Sequence, residues 1–544
     1  MRRIIVLALA AALVAAFAPA GRTDDRAGGL ALVRTPGDAQ RAYVSSYFDE
    51  THNYVPGHVE VLLWPGDATR LDALGYDYEI TVPDVAARDA RLFAERTPAR
   101  VALPGPDRSD YRRLPDYNAE MKALADENKD LVELYELPEP TLEGRPVFGV
   151  EIAADVGAAD GRPTFYVDGV HHAREWPAAE YPMIFAHYLV EGFGKDARIT
   201  RLLKKLRVVI VPIVNPDGFD YSRESVTGQN MTVDRAVSLP LSAGGLESYW
   251  RKNRRSLSGV TVPGLQKNPD AYGVDPNRNY SYHWGGDGSS ANQTSQVHRG
   301  DAPFSEPETR NVRRKILEDN VTGIITNHTY SRLVLRPWGD TFGDASDEAY
   351  LFRLGQRMAD AMGGYQNIKG RQLYVTTGTM SDWGYGALGI PSYTFEHGTA
   401  FHPPYSGCSS DCVGKQWRGV MKAFLIAADA ALQPKLHGIL QGTLADRDGT
   451  PLRGTLTVSK KILNPLDPDN PLGDKTGGAE KLATSMTATG AFRWHLPASA
   501  RPHVSRAAAD EAYTLKVTVA GRGTRSFTFV LDQGERFDLG IVRF

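Results

Sequence analysis

The sequence predicts an α/β fold over residues 111–434, with a mixed, largely parallel sheet flanked by helices. Apolar strand patterns alternate with amphipathic helix patterns along this stretch, as they do where helices cover the faces of a sheet. Arg207–Val214 is almost wholly apolar, which is typical of a strand covered on both faces. From residue 436 the helical pattern stops, and short strands between Gly, Pro and Asp turns predict an all-β sandwich over residues 436–544.

The strand and helix patterns of residues 111–434 follow one another in order. The predicted strands are Val147–Ala153, Phe165–Val170, Arg207–Val214, Gly323–Asn327 and Ser392–Phe395. The predicted helices are Pro177–Val190, Glu306–Leu317, Asp347–Met362 and Lys415–Ala431. In open α/β sheets, sites form beyond the carboxyl ends of the strands, so the residues that follow these strands are the first candidates for chemistry.

The composition is that of a soluble globular protein. The chain has 544 residues, 42% hydrophobic and 23% charged, which excludes disordered, collagen-like and disulfide-rich miniprotein classes. With 62 basic and 65 acidic residues the net charge is −3, which gives no electrostatic case for binding nucleic acid. The two cysteines, Cys408 and Cys412, are too few for a thiolate zinc site or an iron–sulfur site, and whether they are bridged stays open.

Residues 1–20 have the pattern of a secretory signal peptide. The basic pair Arg2-Arg3 precedes an apolar run, residues 4–17, and the small-residue pattern Ala18-Pro19-Ala20. The alternative is a membrane anchor, but the run is shorter than the roughly 20 residues that span a bilayer. We therefore expect a secreted protein, extracellular or periplasmic, without a stable membrane anchor.

Residues 21–110 are predicted to be a pro-segment or an N-terminal accessory domain. Residues 21–57 are polar and predict irregular structure, whereas a strand–helix–strand pattern over residues 59–82 predicts a small α+β unit. Residues 83–110 are rich in Arg, Ala and Pro. This composition predicts an exposed linker whose arginines are candidate processing sites.

Histidine and carboxylate residues follow three of the predicted strands. His172 and Glu175 come after Phe165–Val170, and His328 comes directly after Gly323–Asn327. Hydrolytic zinc sites use three protein ligands of these types and keep one position open for water. The three residues form such a set, and Glu396, which ends the strand Ser392–Phe395, is suited to act as a base.

Six ordered segments resemble the zinc metallocarboxypeptidases of the carboxypeptidase A/B family. The segments are Gly169–Trp176, Val214–Phe219, Trp250–Arg254, Gly273–Asn279, His328–Ser331 and the series from Tyr374 through Gly378 and Asp382-Trp383 to Glu396. The similarity spans about residues 111–434. A lone His-x-x-Glu pattern is weak, but six motifs in the family's order are specific.

The resemblance implies one zinc ion per catalytic domain, held by His172, Glu175 and His328. It implies that Asp275 orients His172, as metal-bound histidines usually require. A zinc-bound water would lose its proton to Glu396, which would return it to the leaving amine. Arg251 would polarise the scissile carbonyl and stabilise the oxyanion.

The resemblance also implies a substrate site. Asn277 and Arg278 would bind the terminal carboxylate of a peptide, Tyr374 would close over the bound residue, and Tyr330 and Arg174 would line the cleft. Ser381 stands at the base of the side-chain pocket and carries no charge, so neutral or apolar C-terminal residues are expected. The implied partners are peptide or protein C-termini.

The flanking regions resemble accessory modules of the same family. Residues 21–110 would block the cleft until an activating protease cuts the linker, and residues 436–544 resemble transthyretin-like or regulatory β-sandwich modules. The expected function is a secreted zinc exopeptidase that removes the C-terminal residue. Two alternatives stay open at this point: a peptidoglycan-directed peptidase of the same fold, and a non-catalytic secreted binding protein on this scaffold.

Overall fold

The protein is described by a computed structural model of residues 28–95, 102–224, 246–256, 273–407, 412–462, 480–499 and 511–544. Several predicted features lie outside these residues: the signal peptide, Cys408, and the linker arginines Arg96 and Arg100. Cys412 is disulfide-bonded, and Cys408 is the only other cysteine of the sequence. Among the described residues, no helix combines the length and the apolar character needed to cross a membrane.

Residues 28–95, here called the N-terminal module, form a small α+β unit. Its elements are β1 (Leu30–Arg34), α1 (Asp38–Tyr47), β2 (Asp49–Glu50), β3 (His58–Leu62), α2 (Asp67–Leu74), β4 (Tyr78–Val82) and α3 (Val85–Glu95). The antiparallel sheet has the strand order β2-β3-β1-β4. Val33, Val59 and Leu71 belong to its separate apolar core.

Two expectations for this region are wrong. The stretch predicted to be irregular contains β1 and α1, and the stretch predicted to be an exposed linker contains α3. The helix α1 buries only Val44 and Ser45, so its sequence lacks a clear apolar stripe. The Ala- and Arg-rich composition of α3 favours a helix as much as a linker, because both residues have high helix propensity.

The central domain, described over residues 102–434, has an eight-stranded mixed sheet. Its strands are β5 (Val132–Glu136), β6 (Phe148–Ile152), β7 (Thr164–Gly169), β8 (Arg207–Val211), β9 (Val321–His328), β10 (Leu333–Arg336), β11 (Gln366–Lys369) and β12 (Ser392–Glu396). They lie in the order β11-β10-β12-β9-β7-β8-β6-β5. The neighbours β12, β9, β7 and β8 are parallel, which confirms the predicted mixed, largely parallel sheet.

Helices cover this sheet. They are α4 (Leu114–Glu127), α5 (Pro177–Gly192), α6 (Ala197–Leu203), α7 (Pro216–Glu224), α8 (Pro307–Glu318), α9 (Glu348–Met362), α10 (Gly370–Leu373), α11 (Met380–Gly386) and α12 (Val413–Ala431). The helix α5 packs closely on β7, because a Cβ atom on Gly169 would lie 2.2 Å from the carbonyl oxygen of Ala178. This close packing fixes the turn after β7, where His172 and Glu175 follow.

Residues 437–544 form the C-terminal sandwich. Its strands are β13 (His437–Ala445), β14 (Arg453–Ile462), β15 (Glu480–Thr489), β16 (Ala491–Pro497), β17 (Tyr513–Val519), β18 (Gly523–Phe529) and β19 (Arg536–Arg543). They form two sheets, β16-β13-β19 and β15-β14-β17-β18, which confirms the predicted all-β region. The apolar core of the sandwich is continuous with that of the central domain.

Candidate active site

Three neighbouring parallel strands bring the predicted metal ligands and the predicted base to one edge of the sheet. The strand β9 ends at His328 and β12 ends at Glu396, and these two residues are register partners. The strand β7 lies on the other side of β9, and His172 and Glu175 follow it. All four side chains are buried. Residues separated by more than two hundred positions in sequence therefore meet because their strands are adjacent.

The donor atoms of His172, Glu175 and His328 converge. Nδ1 of His172 lies 2.7 Å from Oε1 of Glu175 and 3.2 Å from Nδ1 of His328, which lies 2.9 Å from Oε2 of Glu175. The other ring nitrogen of His172 donates to Asp275 at 3.1 Å, which leaves Nδ1 facing Glu175. Two imidazole nitrogens and a carboxylate thus converge, and His₂Glu is a donor set that zinc prefers.

Asp275 contacts two groups of the site at once. Its Oδ1 accepts from His172, and its Oδ2 accepts from Nε and Nη2 of Arg251 at 3.1 and 2.9 Å. Burial by itself would raise the pKa of Asp275, but Arg251, His172 and Arg278 together outweigh it and hold this pKa well below its usual range. Asp275 is therefore an anion that fixes both the ring of His172 and the guanidinium plane of Arg251.

Glu396 is a buried carboxyl beside the metal ligands. Burial raises the pKa of Glu396 well above its usual range, and the nearby carboxylates of Glu175 and Glu50 act in the same direction. Its Oε2 has no hydrogen-bond partner among the described residues. A carboxyl with a raised pKa and a free oxygen is suited to accept and return a proton.

Arg278 and Asn277 lie in a recess that also reaches Glu396. The recess is lined by Asn277, Arg278, Leu335, Tyr374, Ser381, Asp382, Thr394 and Glu396, among others. Arg278 donates through Nε to Gly288 and through Nη1 to Asn277, both at 2.8 Å to carbonyl oxygens. Its Nη2 is buried and has no hydrogen-bond partner within the described part of the chain. A guanidinium nitrogen left over in a recess is a natural partner for a carboxylate ligand.

The walls of the recess are mostly uncharged. Thr394 donates to Ser381 at 3.3 Å, and Arg336 pairs with Glu348 at 2.7 Å. Asp382 accepts from the backbone N–H of Gly339 at 3.0 Å. Burial raises the pKa of Asp382 to about 7, so its negative charge is partly suppressed at neutral pH. The pocket therefore offers no full, unpaired anion to a basic side chain.

The N-terminal module reaches into the same site. Asp49, in β2, binds Arg174 through two contacts of 2.6 and 2.7 Å, and Trp64 donates to the same carboxylate at 2.8 Å. The pair is buried, and the guanidinium of Arg174 also lies 4.3 Å from the ring centroid of Phe401. Arg174, which the sequence places in the cleft as an anion contact, thus already holds a carboxylate.

His52, in the loop between β2 and β3, lies deepest in the site. Its Nδ1 donates to the carbonyl of Thr329 at 3.1 Å and lies 3.4 Å from Glu396 and 3.7 Å from Glu175. Its Nε2 accepts from Arg251 at 3.1 Å. Burial and the charge of Arg251 hold the pKa of His52 well below its usual range. Donor atoms of His52, His172 and Glu175 all lie within 4.8 Å of one another.

The N-terminal module makes further contacts around the site. Tyr330 donates to Glu60, and Tyr374 stacks on the His52 ring with centroids 5.5 Å apart. Arg41 donates to the carbonyl of Leu373 at 2.5 Å. An apolar seam joins Leu30, Leu62, Trp64 and Val85 to Leu246, Tyr249, Tyr330 and Phe401.

All the site residues predicted from the sequence lie in or beside this cleft. Five of them lie around the converging metal donors: His172, Glu175, His328, Arg251 and Glu396. Four line the recess: Asn277, Arg278, Tyr374 and Ser381. Arg174 and Tyr330 face the N-terminal module. The residues that sequence reasoning missed are Asp49, His52 and Glu60. They belong to no motif, and the region was expected to be irregular up to residue 57.

The central domain matches the zinc carboxypeptidase family over residues 117–413. The chain belongs to this family. Relatives include carboxypeptidase B of Astacus astacus, 30% identical over 53% of this chain and 87% of that protein, and mouse carboxypeptidase A4, 28% identical over 60% and 72%. Bovine carboxypeptidase O is 31% identical over 47% of this chain, and the match spans 62% of that protein's length.

Solved structures of this family have the same fold. Carboxypeptidase A of Helicoverpa armigera has a TM-score of 0.57 at 23% identity, with 76% of this chain and 99% of that one covered. Thrombin-activatable fibrinolysis inhibitor has a TM-score of 0.56 at 22% identity, with 74% and 98% covered. The protein is thus a metallocarboxypeptidase, a zinc hydrolase with the carboxypeptidase fold, as the motifs predicted.

Proposed function

We propose that the central domain removes the C-terminal residue from peptides, using Glu396 as the proton carrier. Zinc, held by His172, Glu175 and His328, supplies Lewis acidity and lowers the pKa of water. Glu396 takes the proton of the attacking water and delivers it to the leaving amine. Arg251 stabilises the charge that develops on the scissile carbonyl oxygen.

The observation that carries this proposal is the free Nη2 of Arg278 in the recess that leads to Glu396. A carboxylate anchor beside a hydrolytic site selects chain ends, because an internal peptide segment has no carboxylate to place there. Asn277 lies beside Arg278, and its Oδ1 accepts from the N–H of Met380 at 2.9 Å, which fixes its orientation. Exopeptidase selectivity therefore follows from the placement of anchor and base in one recess.

We further propose that neutral or apolar C-terminal side chains are preferred. The pocket wall is formed by groups such as Leu335, Thr394 and Ser381, and its charged members are paired or partly protonated. A Lys or Arg side chain would lose hydration there without gaining a full counter-charge. Ser381→Asp supplies that charge, so it is expected to shift the preference toward basic residues.

The N-terminal module is proposed to be a pro-segment that keeps the enzyme latent. It occupies Arg174 with Asp49 and Arg251 with His52, two cations that a substrate would otherwise meet. Cleavage in the Arg-containing stretch between residues 95 and 102 would separate it from the central domain. Secretion, with removal of residues 1–20, belongs to the same proposal, and the disulfide of Cys412 is in keeping with an oxidising compartment.

The experiment compares the full chain with protein cleaved after α3 and freed of the module. Release of the last residue is measured on N-acylated dipeptides that end in Phe, Leu, Lys or Glu, with and without a zinc chelator. We expect chelator-sensitive release of Phe and Leu by the cleaved protein only. A muropeptide arm tests the peptidoglycan-directed alternative. No release from any substrate by cleaved, zinc-loaded protein would refute the proposal and favour a binding protein.

Glu396→Gln tests the role of the proposed base. The amide keeps the shape of the side chain but cannot carry the proton, so the cleaved variant should lose about 10²–10⁴-fold in kcat. Its zinc content should stay at one per chain, since Glu396 is not among the proposed ligands. Glu133→Gln, on the exposed side of β5 in the central domain, is the matched control. Unchanged kcat in Glu396→Gln would show that another group carries the proton.

A further inference from the structure

The loop between β2 and β3 brings His52, a residue of the N-terminal module, next to the predicted metal ligands. The residue is 1% exposed and has a φ of 69°, a conformation that non-glycine residues seldom adopt. Its backbone is held on both sides: its N–H donates to Glu50 at 2.8 Å, and its carbonyl accepts from Ser331. The ring is thus held at a fixed depth by bonds to its own module and to the central domain.

The distances around His52 have the scale of a metal site. Four ligands at about 2.1 Å from zinc in a tetrahedron lie about 3.4 Å from one another. Nδ1 of His52 lies 3.7 Å from Oε1 of Glu175, close to the 3.2 Å that separates the Nδ1 atoms of His172 and His328. Donor atoms of His52 also lie within 4.8 Å of those of His172, so the ring lies beside the predicted ligands, on the side of the N-terminal module.

We propose that His52 is a fourth protein ligand to zinc, so that the uncleaved chain holds the metal in a closed, four-ligand site. The proposal rests on the family's zinc and on the proposed latency of the N-terminal module. Structural zinc sites are closed by four protein ligands, whereas hydrolytic ones keep a position for water. The same metal would then be structural in the uncleaved chain and catalytic after cleavage, because the loss of His52 opens the position that water needs.

Metal binding through Nδ1 requires the other neutral tautomer of the His52 ring. In the structure Nδ1 donates to Thr329 and Nε2 accepts from Arg251. With the lone pair of Nδ1 on the metal, Nε2 would carry the hydrogen, so Arg251 could no longer donate to it. The carboxyl of Glu50, with Oε2 3.9 Å away, is then the acceptor within reach. Glu50 would then support His52 as Asp275 supports His172.

The test uses the uncleaved chain with cobalt(II) in place of zinc, because its visible absorption reports the number and geometry of ligands. His52→Ala should change this spectrum toward that of the cleaved protein and speed zinc loss to a chelator about 10–100-fold. His58→Ala is the matched control, since His58 lies in the same module and its ring bonds the carbonyl of Pro56, away from the metal ligands. Identical spectra and zinc-release rates for His52→Ala and the unaltered chain would overturn the proposal.

A second variant gives a positive signal that misfolding cannot imitate. His52→Cys should produce a thiolate-to-cobalt charge-transfer band in the near ultraviolet, which requires direct bonding, whereas His58→Cys should not. Absence of the band in a folded variant would also overturn the proposal. The readout does not involve hydrolysis. The two proposals can therefore fail separately. A charge-transfer band in uncleaved His52→Cys would support residue 52 as a metal ligand, and a lack of peptidase activity after cleavage would refute the proposed function.

Discussion

Both flanking modules make apolar contacts with the central domain, but their polar contacts differ. The N-terminal module places charged and polar side chains on functional groups, as in the pairs Asp49–Arg174 and His52–Arg251. The C-terminal sandwich instead joins through backbone hydrogen bonds and a shared apolar core. Thr487 and His495 donate from their N–H groups to the carbonyls of Ala159 and Gly161 at 2.8 and 3.0 Å.

This difference fits the proposal that the N-terminal module is removed and that the sandwich stays. Charged contacts with catalytic groups give specificity, but these groups can be rehydrated or can bind substrate when the module leaves. An apolar core shared between two units cannot be exposed without a large loss of hydrophobic stabilisation. We therefore interpret the sandwich as part of the stable enzyme and the N-terminal module as its temporary cover.

The largest effect is expected from Asp49→Asn, which leaves the buried guanidinium of Arg174 without its counter-charge. Loss of one partner of a buried pair costs about 3–5 kcal/mol, so the affinity of the module for the cleaved enzyme should fall about 10²–10⁴-fold. The measurement is inhibition of the cleaved enzyme by added module. Asp77→Asn, at an exposed position of the module, is the control. Equal inhibition by the two variants would show that the pair Asp49–Arg174 does not contribute to the affinity of the module.

A smaller effect, on stability, is expected where the central domain contacts the sandwich. A Cβ atom on Gly161 would lie 2.3 Å from the carbonyl oxygen of Arg493, whereas one on Gly157 would meet nothing within 4 Å. Gly161→Ala should therefore cost about 1–3 kcal/mol through overpacking. Thermal unfolding of Gly161→Ala and Gly157→Ala measures the difference, and activity after cleavage should stay unchanged in both. A Gly161→Ala protein as stable as its control would mean that the backbone around Arg493 moves aside without a cost in stability.

The third effect concerns pH and grows as the solution becomes more acidic. Burial lowers the pKa of His437 to about 3 and that of His495 to about 4, and their rings contact each other at 2.9 Å. Histidine in the unfolded chain titrates near 6.5, so below this pH the unfolded sandwich takes up protons that the folded one refuses. The free energy of unfolding should fall by about 1.4 kcal/mol per pH unit for each ring between pH 6.5 and 4.

The measurement for this prediction is hydrogen exchange in β13 and β16 at pH 7, 6 and 5, corrected for the intrinsic rate. The double variant His437→Gln with His495→Gln should show a shallower loss of protection on acidification. A slope equal to that of the unaltered chain would assign the acid sensitivity to other groups. Above pH 6.5 both proteins should be insensitive to pH at these strands, since neither ring is charged in either state.

The sequence predicted best those regions in which the residue types match the secondary structure that they form. The buried strands and the groups at their carboxyl ends, such as His328 and Glu396, followed from apolar runs and ordered motifs. His52 could not be predicted in the same way. Its position depends on how the N-terminal module docks, which is a long-range property, and its neighbours Thr51 and Asn53 carry no periodic pattern. The helix α1 was missed because its buried face has only Val44 and Ser45.

The carboxylate of Asp275 has a consequence for how such an enzyme can change over time. One oxygen accepts from His172, the proposed metal ligand, and the other fixes Arg251, the arginine proposed to meet the substrate. Neither property can be adjusted through Asp275 without disturbing the other. Variation that tunes metal affinity or substrate polarisation separately must therefore arise elsewhere, and the pocket around Ser381, which shares no atom with this bridge, is the place where new preferences can be acquired at least risk to the chemistry.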